Sequence, residues 1–403
     1  MGYEIRSASA DEMDQIGLMA AYVYGGEFGD SADNVTSSSL NPDWTLCAFE
    51  GAKLVTSFAA FPFTMRANGV GISFAGITAV GTLPEHRRQG LVRRIITESF
   101  VRQRDQGQSV AGLWASQAAI YQRYGFVAAG ANRSYKVDTV DIRFPKETSS
   151  DVSVERLPIA DALEHARAVY RDFITDRFGY LHRSQVLWRL NVFEESENGP
   201  VHCAIAFNGS EPCGYVVYTL RSSKVNHVAR GQEIVIKDLA WLNVDAYQSL
   251  WEYLSHHDLV GRVSWSNAPV DDPAPQLVIE PRLLHCHDLE GSWMRVVDVP
   301  TALSKRGYVG DGSLNIAVNG DDIANWNNET WQLEVGAGEA LAKKTTASPD
   351  VSLDISALSA LYTGAASARS LSQIGKLDAD LRVIEQLDQM FATHWKPHCP
   401  DHY

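Results

Sequence analysis

Arg87-Arg88-Gln89-Gly90-Leu91-Val92-Arg93-Arg94-Ile95-Ile96 is the stretch on which the reading of this chain turns. Leu91, Val92, Ile95, Ile96 and Phe100 recur at the spacing of one helix face, so a helix is expected to start just after Gly90. The first turn of a helix leaves backbone N–H groups without partners, and the helix dipole adds positive potential there. A glycine at that point lets a ligand approach the backbone closely. Residues 85–105 carry six arginines against three acids, a local charge of +3 in a chain whose formal net charge is −14. A bound anion such as a pyrophosphate is the chemistry that such a helix start accommodates.

The residues on either side make the pattern more specific. An alternating strand ends at Val80-Gly81-Thr82 before the basic loop. A second strand over 109–116 follows the helix, and then comes Gln117-Ala118-Ala119-Ile120-Tyr121-Gln122-Arg123-Tyr124-Gly125-Phe126. Strand, basic glycine loop, helix, strand and a short helix ending in Tyr-x-x-Tyr-Gly-Phe resemble the GNAT acetyltransferase superfamily. The loop of that family, (Gln or Arg)-x-x-Gly-x-(Gly or Ala), corresponds to Arg87-Arg88-Gln89-Gly90-Leu91-Val92, with Val92 standing where a small residue is usual. The resemblance implies acetyl-CoA as co-substrate. Val80, Gly81 and Thr82 are then expected along the acyl and pantetheine arm, and Arg88, Gln89, Gly90, Leu91, Val92 and Arg93 around the pyrophosphate. Ser116 and Gln117 are expected at the end of the second strand, with Tyr121 as the general acid that protonates the departing thiolate.

The order of elements repeats loosely further along. Strands at 152–157, 203–207, 213–220, 233–241 and 262–265 and helices at 161–173, 184–193 and 247–256 suggest a second unit of the same kind. Its strand-to-helix junction, Leu242-Asn243-Val244-Asp245-Ala246, has neither glycine nor arginine, so it is not expected to hold a phosphate. From about Asp298 a third segment begins, with a helix at 301–305, strands at 314–318 and 331–335 around an Asn319-Gly320 turn, and helices to 393. The expected division is therefore 1–150, 151–297 and 298–403. The fold class is α/β (α+β): two tandem GNAT-like units, the second without its phosphate loop, followed by a separate α+β unit, which the whole-chain resemblance given next implies to be a sterol-carrier-protein-like domain.

Taken over its whole length, including Trp293-Met294-Arg295-Val296-Val297-Asp298-Val299-Pro300 and the aromatic last residue Tyr403, the chain resembles the Eis family of acetyltransferases. The resemblance implies acetylation of amines on small polycations such as aminoglycosides, and assembly as a homo-hexamer. It places Glu27 and Phe28 beside the amine pocket and makes the C-terminal carboxylate of Tyr403 a base. Lysine side chains as acceptors, or a non-catalytic protein that binds acetyl-CoA or an apolar ligand, are the alternatives.

Bulk properties set limits on partners. A charge of −14 over 403 residues repels nucleic acid and anionic membranes and attracts small cations. No segment approaches the roughly 20 apolar residues of a membrane span, and no secretion signal opens the chain, so a cytoplasmic location is expected. The five cysteines form no CxxC pair and are expected to be reduced thiols. His394, His398, Cys399 and His402 crowd the terminus, but Pro397 and Pro400 break the helix that would align them, so no metal site is expected. GxSxG and HExxH are absent, which leaves hydrolase readings without an anchor.

Overall fold

The computed structural model describes residues 2–25, 40–145, 151–194, 199–223 and 229–403. The chain packs as two compact units. One comprises Met1–Ala129, Ser292–His394 and His402–Tyr403, and the other Gly130–Gly291 and Trp395–Asp401.

The first unit begins with β1 (Glu4–Arg6), α1 (Met13–Tyr24), β2 (Cys47–Glu50), β3 (Lys53–Ala67) and β4 (Val70–Thr82). Then come α2 (Leu91–Asp105), β5 (Val110–Leu113), α3 (Ala118–Gln122) and β6 (Val127–Ala128). The helix expected after Gly90 is α2. Its Leu91, Ile95, Ile96 and Phe100 are buried, each contributing roughly 1.5–3 kcal/mol on burial, while Arg93 and Arg94 face outward. Strands β1 to β5 lie in sequence order, antiparallel until β4 meets β5 in parallel. A late strand, β15 (Trp293–Val296), is inserted antiparallel between β5 and β6.

The remainder of this unit is a five-stranded sheet with helices. Its strands are β16 (Gly312–Asn319), β17 (Thr330–Gly336), β18 (Glu339–Lys344), β19 (Val351–Asp354) and β20 (Leu377–Ala379), in the order β18-β17-β16-β19-β20. Two buried arginines fix this part. The Arg295 guanidinium pairs with Asp321, donates to the Tyr124 carbonyl and lies 4.4 Å from the Phe100 ring centroid. Among the described residues Arg306 pairs with no carboxylate; it donates to the carbonyls of Tyr362 (2.8 Å) and Phe391 (2.6 Å), near the C-terminal ends of two helices where the dipole is negative.

The Asn319-Gly320 turn does not close a tight hairpin, because β17 starts only at Thr330. Asp321 is held by Arg295 and accepts from the backbone N–H groups of Ile323 and Ala324, which draws the connection into a longer loop.

In the second unit the sheet runs β14-β7-β13-β12-β11-β10-β8. The strands are β7 (Ala131–Asp138), β8 (Val152–Leu157), β10 (Val201–Asn208), β11 (Glu211–Ser222), β12 (Gln232–Trp241), β13 (Val260–Pro269) and β14 (His287–Glu290). The helices α4 (Ile159–Phe173) and α5 (Val244–Ser255) and the short strand β9 (Phe178–Leu181) complete it. Strand β7 precedes the expected boundary near residue 150, yet it pairs with β13 in this second sheet. Strand β15 precedes the boundary near 297, yet it pairs with β5 in the first. Each sheet is completed by a strand from beyond the segment that supplies the rest, a long-range pairing that local sequence pattern does not encode. Among the described residues no helix is long and apolar enough to cross a membrane.

The core of the second unit contains a buried carboxyl. Asp272 accepts from the hydroxyls of Tyr247 (2.6 Å) and Tyr135 (2.9 Å), yet burial pushes its pKa up to about 6. A raised folded-state pKa gives stability that is complete below the unfolded value near 4 and lost as the pH rises through 6. Asp272→Asn keeps the acceptor and removes the ionisation. The stability of the natural protein minus that of this variant should fall by about 3 kcal/mol between pH 4 and 6 and stay level above 7, measured by denaturant unfolding. A difference independent of pH would show that Asp272 does not ionise in the fold.

Candidate active site

The site is organised by a divergence of two parallel strands. β4 and β5 pair only over Phe74–Gly76 and Val110–Gly112, and beyond those glycines residues 77–82 of β4 have no β5 partner. A bulge on β4 assists the parting. Opposite β3 the register steps from Ser57↔Gly81 to Ala59↔Thr78, and Ala79 takes φ +52° in the extra residue. The Ala79 carbonyl accepts from the Ser57 hydroxyl at 2.6 Å. The expected arm-lining residues Val80, Gly81 and Thr82 therefore stand at the open end of the fork. Gly81 offers backbone only, because the space for a side chain is taken by Met19, Val23 and Ser57.

Between β4 and α2 the loop turns through two left-handed residues, Arg88 at φ +64° and Gly90 at φ +76°. Arg88, Gln89, Gly90 and Arg93 are exposed, and a side chain at Gly90 would meet nothing within 4 Å. Gly90 is the N-cap of α2 without any side-chain cap, which leaves the early N–H groups of the helix available. The corresponding helix of the second unit is closed: Asn243 caps α5 by accepting from the Ala246 N–H at 2.8 Å. The basic loop is open, uncapped and cationic, the donor set a diphosphate requires. Leu91 is buried, so it too can contribute only its backbone, and Val92 is partly buried against the same core.

Ser116 and Gln117 are exposed just after β5, and Gln117 is the N-cap of α3. Tyr121 on that helix is 5% exposed. Burial holds its hydroxyl above the ordinary tyrosine pKa, and the phenols of Tyr24 and Tyr124 add to the effect. Its turn is anchored by the Arg295 bond to the Tyr124 carbonyl.

Tyr403 lies over the base of the fork. Its ring packs edge-on against Phe63 (centroids 5.1 Å apart) and Phe74 (6.3 Å). A Cβ on Gly76 would come within 3.0 Å of Tyr403 and 2.5 Å of Phe63, so only glycine permits this seat. His402 stacks on Trp114 at 3.9 Å, immediately after β5. The last two residues thus rest on β3, β4 and the end of β5.

Four neighbours escaped the sequence reading: Phe63, Gly76, Trp114 and Tyr24, whose hydroxyl donates to the Val80 carbonyl at 3.1 Å. Trp114 could have been noticed as a tryptophan at the end of the strand preceding Ser116; the others are marked only by long-range packing. Glu27 and Phe28 lie outside the described residues.

Comparison with known proteins agrees with this architecture. Residues 4–129 and 179–297 each match an acetyltransferase (GNAT) domain family, and residues 299–400 match the sterol carrier protein domain. An uncharacterised N-acetyltransferase of Streptomyces coelicolor is 29% identical over 334 residues, 81% of this chain and 80% of the relative. N-acetyltransferase Eis of Mycobacterium tuberculosis is 30% identical over 328 residues, 79% of this chain and 78% of that protein. Among solved structures, a GCN5-related N-acetyltransferase from Anabaena variabilis superposes over all of both chains with a TM-score of 0.88 at 23% identity. Eis1 from Mycobacterium abscessus covers 99% of this chain and 100% of its own with a TM-score of 0.83 at 24% identity. Two GNAT units followed by a sterol-carrier-like domain, with 30% identity to Eis over most of both chains, place this chain in the Eis family of N-acetyltransferases.

Proposed function

We propose that the enzyme moves the acetyl group of acetyl-CoA onto amines of small polycations of the aminoglycoside type. The observation that supports this reading is the seat of the Tyr403 ring on Gly76 and Phe63, beside the parting of β4 and β5. The net charge of −14 favours a cationic acceptor. Arg88, Gln89, Gly90, Leu91, Val92 and Arg93 hold the pyrophosphate, while Val80, Gly81, Thr82, Ser116 and Gln117 border the acyl arm. All five cysteines are free thiols, which fits a cytoplasmic enzyme. The family resemblance further implies a hexamer, which light scattering would read directly.

Acetyl transfer requires one proton to leave the amine and one to reach the departing sulfur. Tyr121 supplies the second. A free tyrosine near pKa 10 and a thiol near 8.5 make that transfer uphill by about 2 kcal/mol in water; burial of Tyr121 widens the gap and desolvation of the thiolate narrows it. The Tyr403 carboxylate receives the first. A carboxyl near 3.5 and an ammonium near 8 to 10 leave roughly 6 to 9 kcal/mol to overcome in water. The carboxylate therefore acts on an amine whose acidity rises as attack proceeds, directly or through one water, and holds the cationic substrate in place.

The test is acetyl-CoA turnover against a panel of aminoglycosides and polyamines. Tight acetyl-CoA binding with no thiol release for any amine would overturn the reading. Calorimetry should show one acetyl-CoA site per chain, lost in Gly90→Asp; two sites, or unchanged affinity in the variant, would remove the cradle from the assignment. Tyr121→Phe should keep that affinity and lower turnover by about 10² to 10⁴, the usual contribution of a general acid. Residues appended after Tyr403 should cut amine acetylation at least about tenfold without weakening acetyl-CoA binding; full activity would make the terminus a bystander.

A further inference from the structure

The buried stripe of α2 runs through Leu91, Ile95, Ile96 and Phe100, and the next position on it is Gln103. Helical spacing calls for an apolar side chain there, one turn beyond Phe100 and two beyond Ile96. Gln103 is 3% exposed, and among the described residues neither its Oε1 nor its Nε2 has a hydrogen-bond partner. A buried amide with both ends unpartnered costs the fold free energy and is uncommon.

Gln103 lines a cleft of about 430 Å³ beside the C-terminal turn of α2. β3 supplies Phe58, Ala60 and Pro62 to it, following the two-residue alternation of one sheet face. Other polar side chains of the wall are engaged. The Ser99 hydroxyl donates to the Ile96 carbonyl at 2.9 Å, and Thr45 Oγ1 accepts from the Ala8 N–H at 2.8 Å and donates to the Pro42 carbonyl at 2.6 Å. The Arg102 guanidinium meets Glu98 at 2.9 Å. An unpartnered donor and acceptor on one planar group thus face a cleft with an apolar wall.

The complement of a carboxamide is another amide-like edge, an acceptor beside a donor, and glutamine meets nucleobase edges through two bonds in this manner. The volume lies within the range of small-molecule sites, roughly 300–1,000 Å³. Trp44 and Phe58 on the wall suit a flat ring. We propose that this cleft binds a small planar heterocycle bearing a lactam or carboxamide edge, which Gln103 reads through a pair of hydrogen bonds.

The site is separate from the cofactor cradle. Gln103 lies roughly 20 Å along α2 from Gly90 at the rise of an α-helix. It also lies on the face of β3 opposite to α1: Phe58 and Ala60 share a core with Ile95 and Ile96, whereas Ala59 packs with Ile16 and Met19. Phe63 borders both the cleft and the Tyr403 ring, so competition between the heterocycle and the acceptor amine is a decisive measurement.

The probes are nicotinamide and methyl nicotinate, an ester of the same shape without the N–H donor, followed by saturation-transfer NMR on the full-length protein. Nicotinamide should bind at least about fivefold more tightly than the ester, as expected for a hydrogen bond lost and an amide oxygen left unpaired. Gln103→Met keeps the length of the side chain and should abolish that preference. Ala60→Leu fills the cleft from β3 without touching the amide and should weaken both probes. Acetyl-CoA affinity should stay within about twofold in both variants, since sites more than about 10 Å apart act independently. Freed of an unpartnered amide, Gln103→Met should also unfold at a higher urea concentration than the natural protein. No binding of nicotinamide, equal binding of the two probes, or a preference that survives Gln103→Met would overturn the site. A lower urea midpoint in Gln103→Met would do the same, because the amide would then be satisfied within the fold. Displacement of nicotinamide by an aminoglycoside that the enzyme acetylates would merge the cleft with the acceptor pocket and overturn a separate site.

Discussion

The parting of β4 and β5 after Gly76 and Gly112 is the constraint around which the first unit is arranged. A parallel pair that kept its ladder would satisfy its backbone internally and leave nothing for a ligand. Here the Ala79 bulge adds a residue to β4 and turns its end away, so that residues 77–82 present backbone groups to an opening. Both glycines at the parting are needed for packing. Phe74 lies across Gly112, and Phe63 and Tyr403 lie across Gly76, so the fork has an aromatic floor into which the last residue of the chain is built. The insertion of β15 on the other side of β5 keeps the short second arm of the fork inside a sheet.

The two units differ in one feature that anion binding at a helix start requires, free backbone N–H groups. Both have a parallel pair that separates, and both have a helix after the first arm. The difference lies in who satisfies the helix start. Gly90 contributes no side chain and leaves the N–H groups open, whereas Asn243 occupies its own helix terminus with a side-chain oxygen. Asparagine in that place is good for the helix and occupies the N–H that an anion would need; glycine weakens the helix locally and leaves the N–H groups open.

That contrast was legible in the sequence because it depends on residues adjacent in the chain. The helix after Gly90, Tyr121 on a short helix, and the strands and helices of the second unit could likewise be read from local periodicity, and they lie within a few residues of where expected. What could not be read was long-range pairing. The exchange of β7 and β15 between sheets depends on partners more than 100 residues away. The Asn319-Gly320 turn opened for the same reason, because its neighbour Asp321 answers to Arg295 and not to its own hairpin. Sequence singled out Tyr403 by resemblance; Gly76, which makes its seat possible, is an unremarkable small residue in a strand until the aromatic rings around it are seen.

Three buried arginines join parts of the chain that lie far apart in sequence. Arg295 joins the turn after Tyr121 to Asp321, Arg306 joins two helix ends, and Arg183 joins Asp238 to Asp401. A buried ion pair contributes little net stability compared with apolar residues of similar volume, since desolvation offsets most of the attraction. An apolar contact, however, tolerates sliding, and a guanidinium with several acceptors does not. The mechanism proposed above asks for two groups held in fixed positions about one thioester, a demand that packing alone meets poorly. The positions of these arginines are therefore better explained by geometry than by stability: one steadies the helix that carries Tyr121, one steadies the helices that precede the tail, and one holds the tail itself.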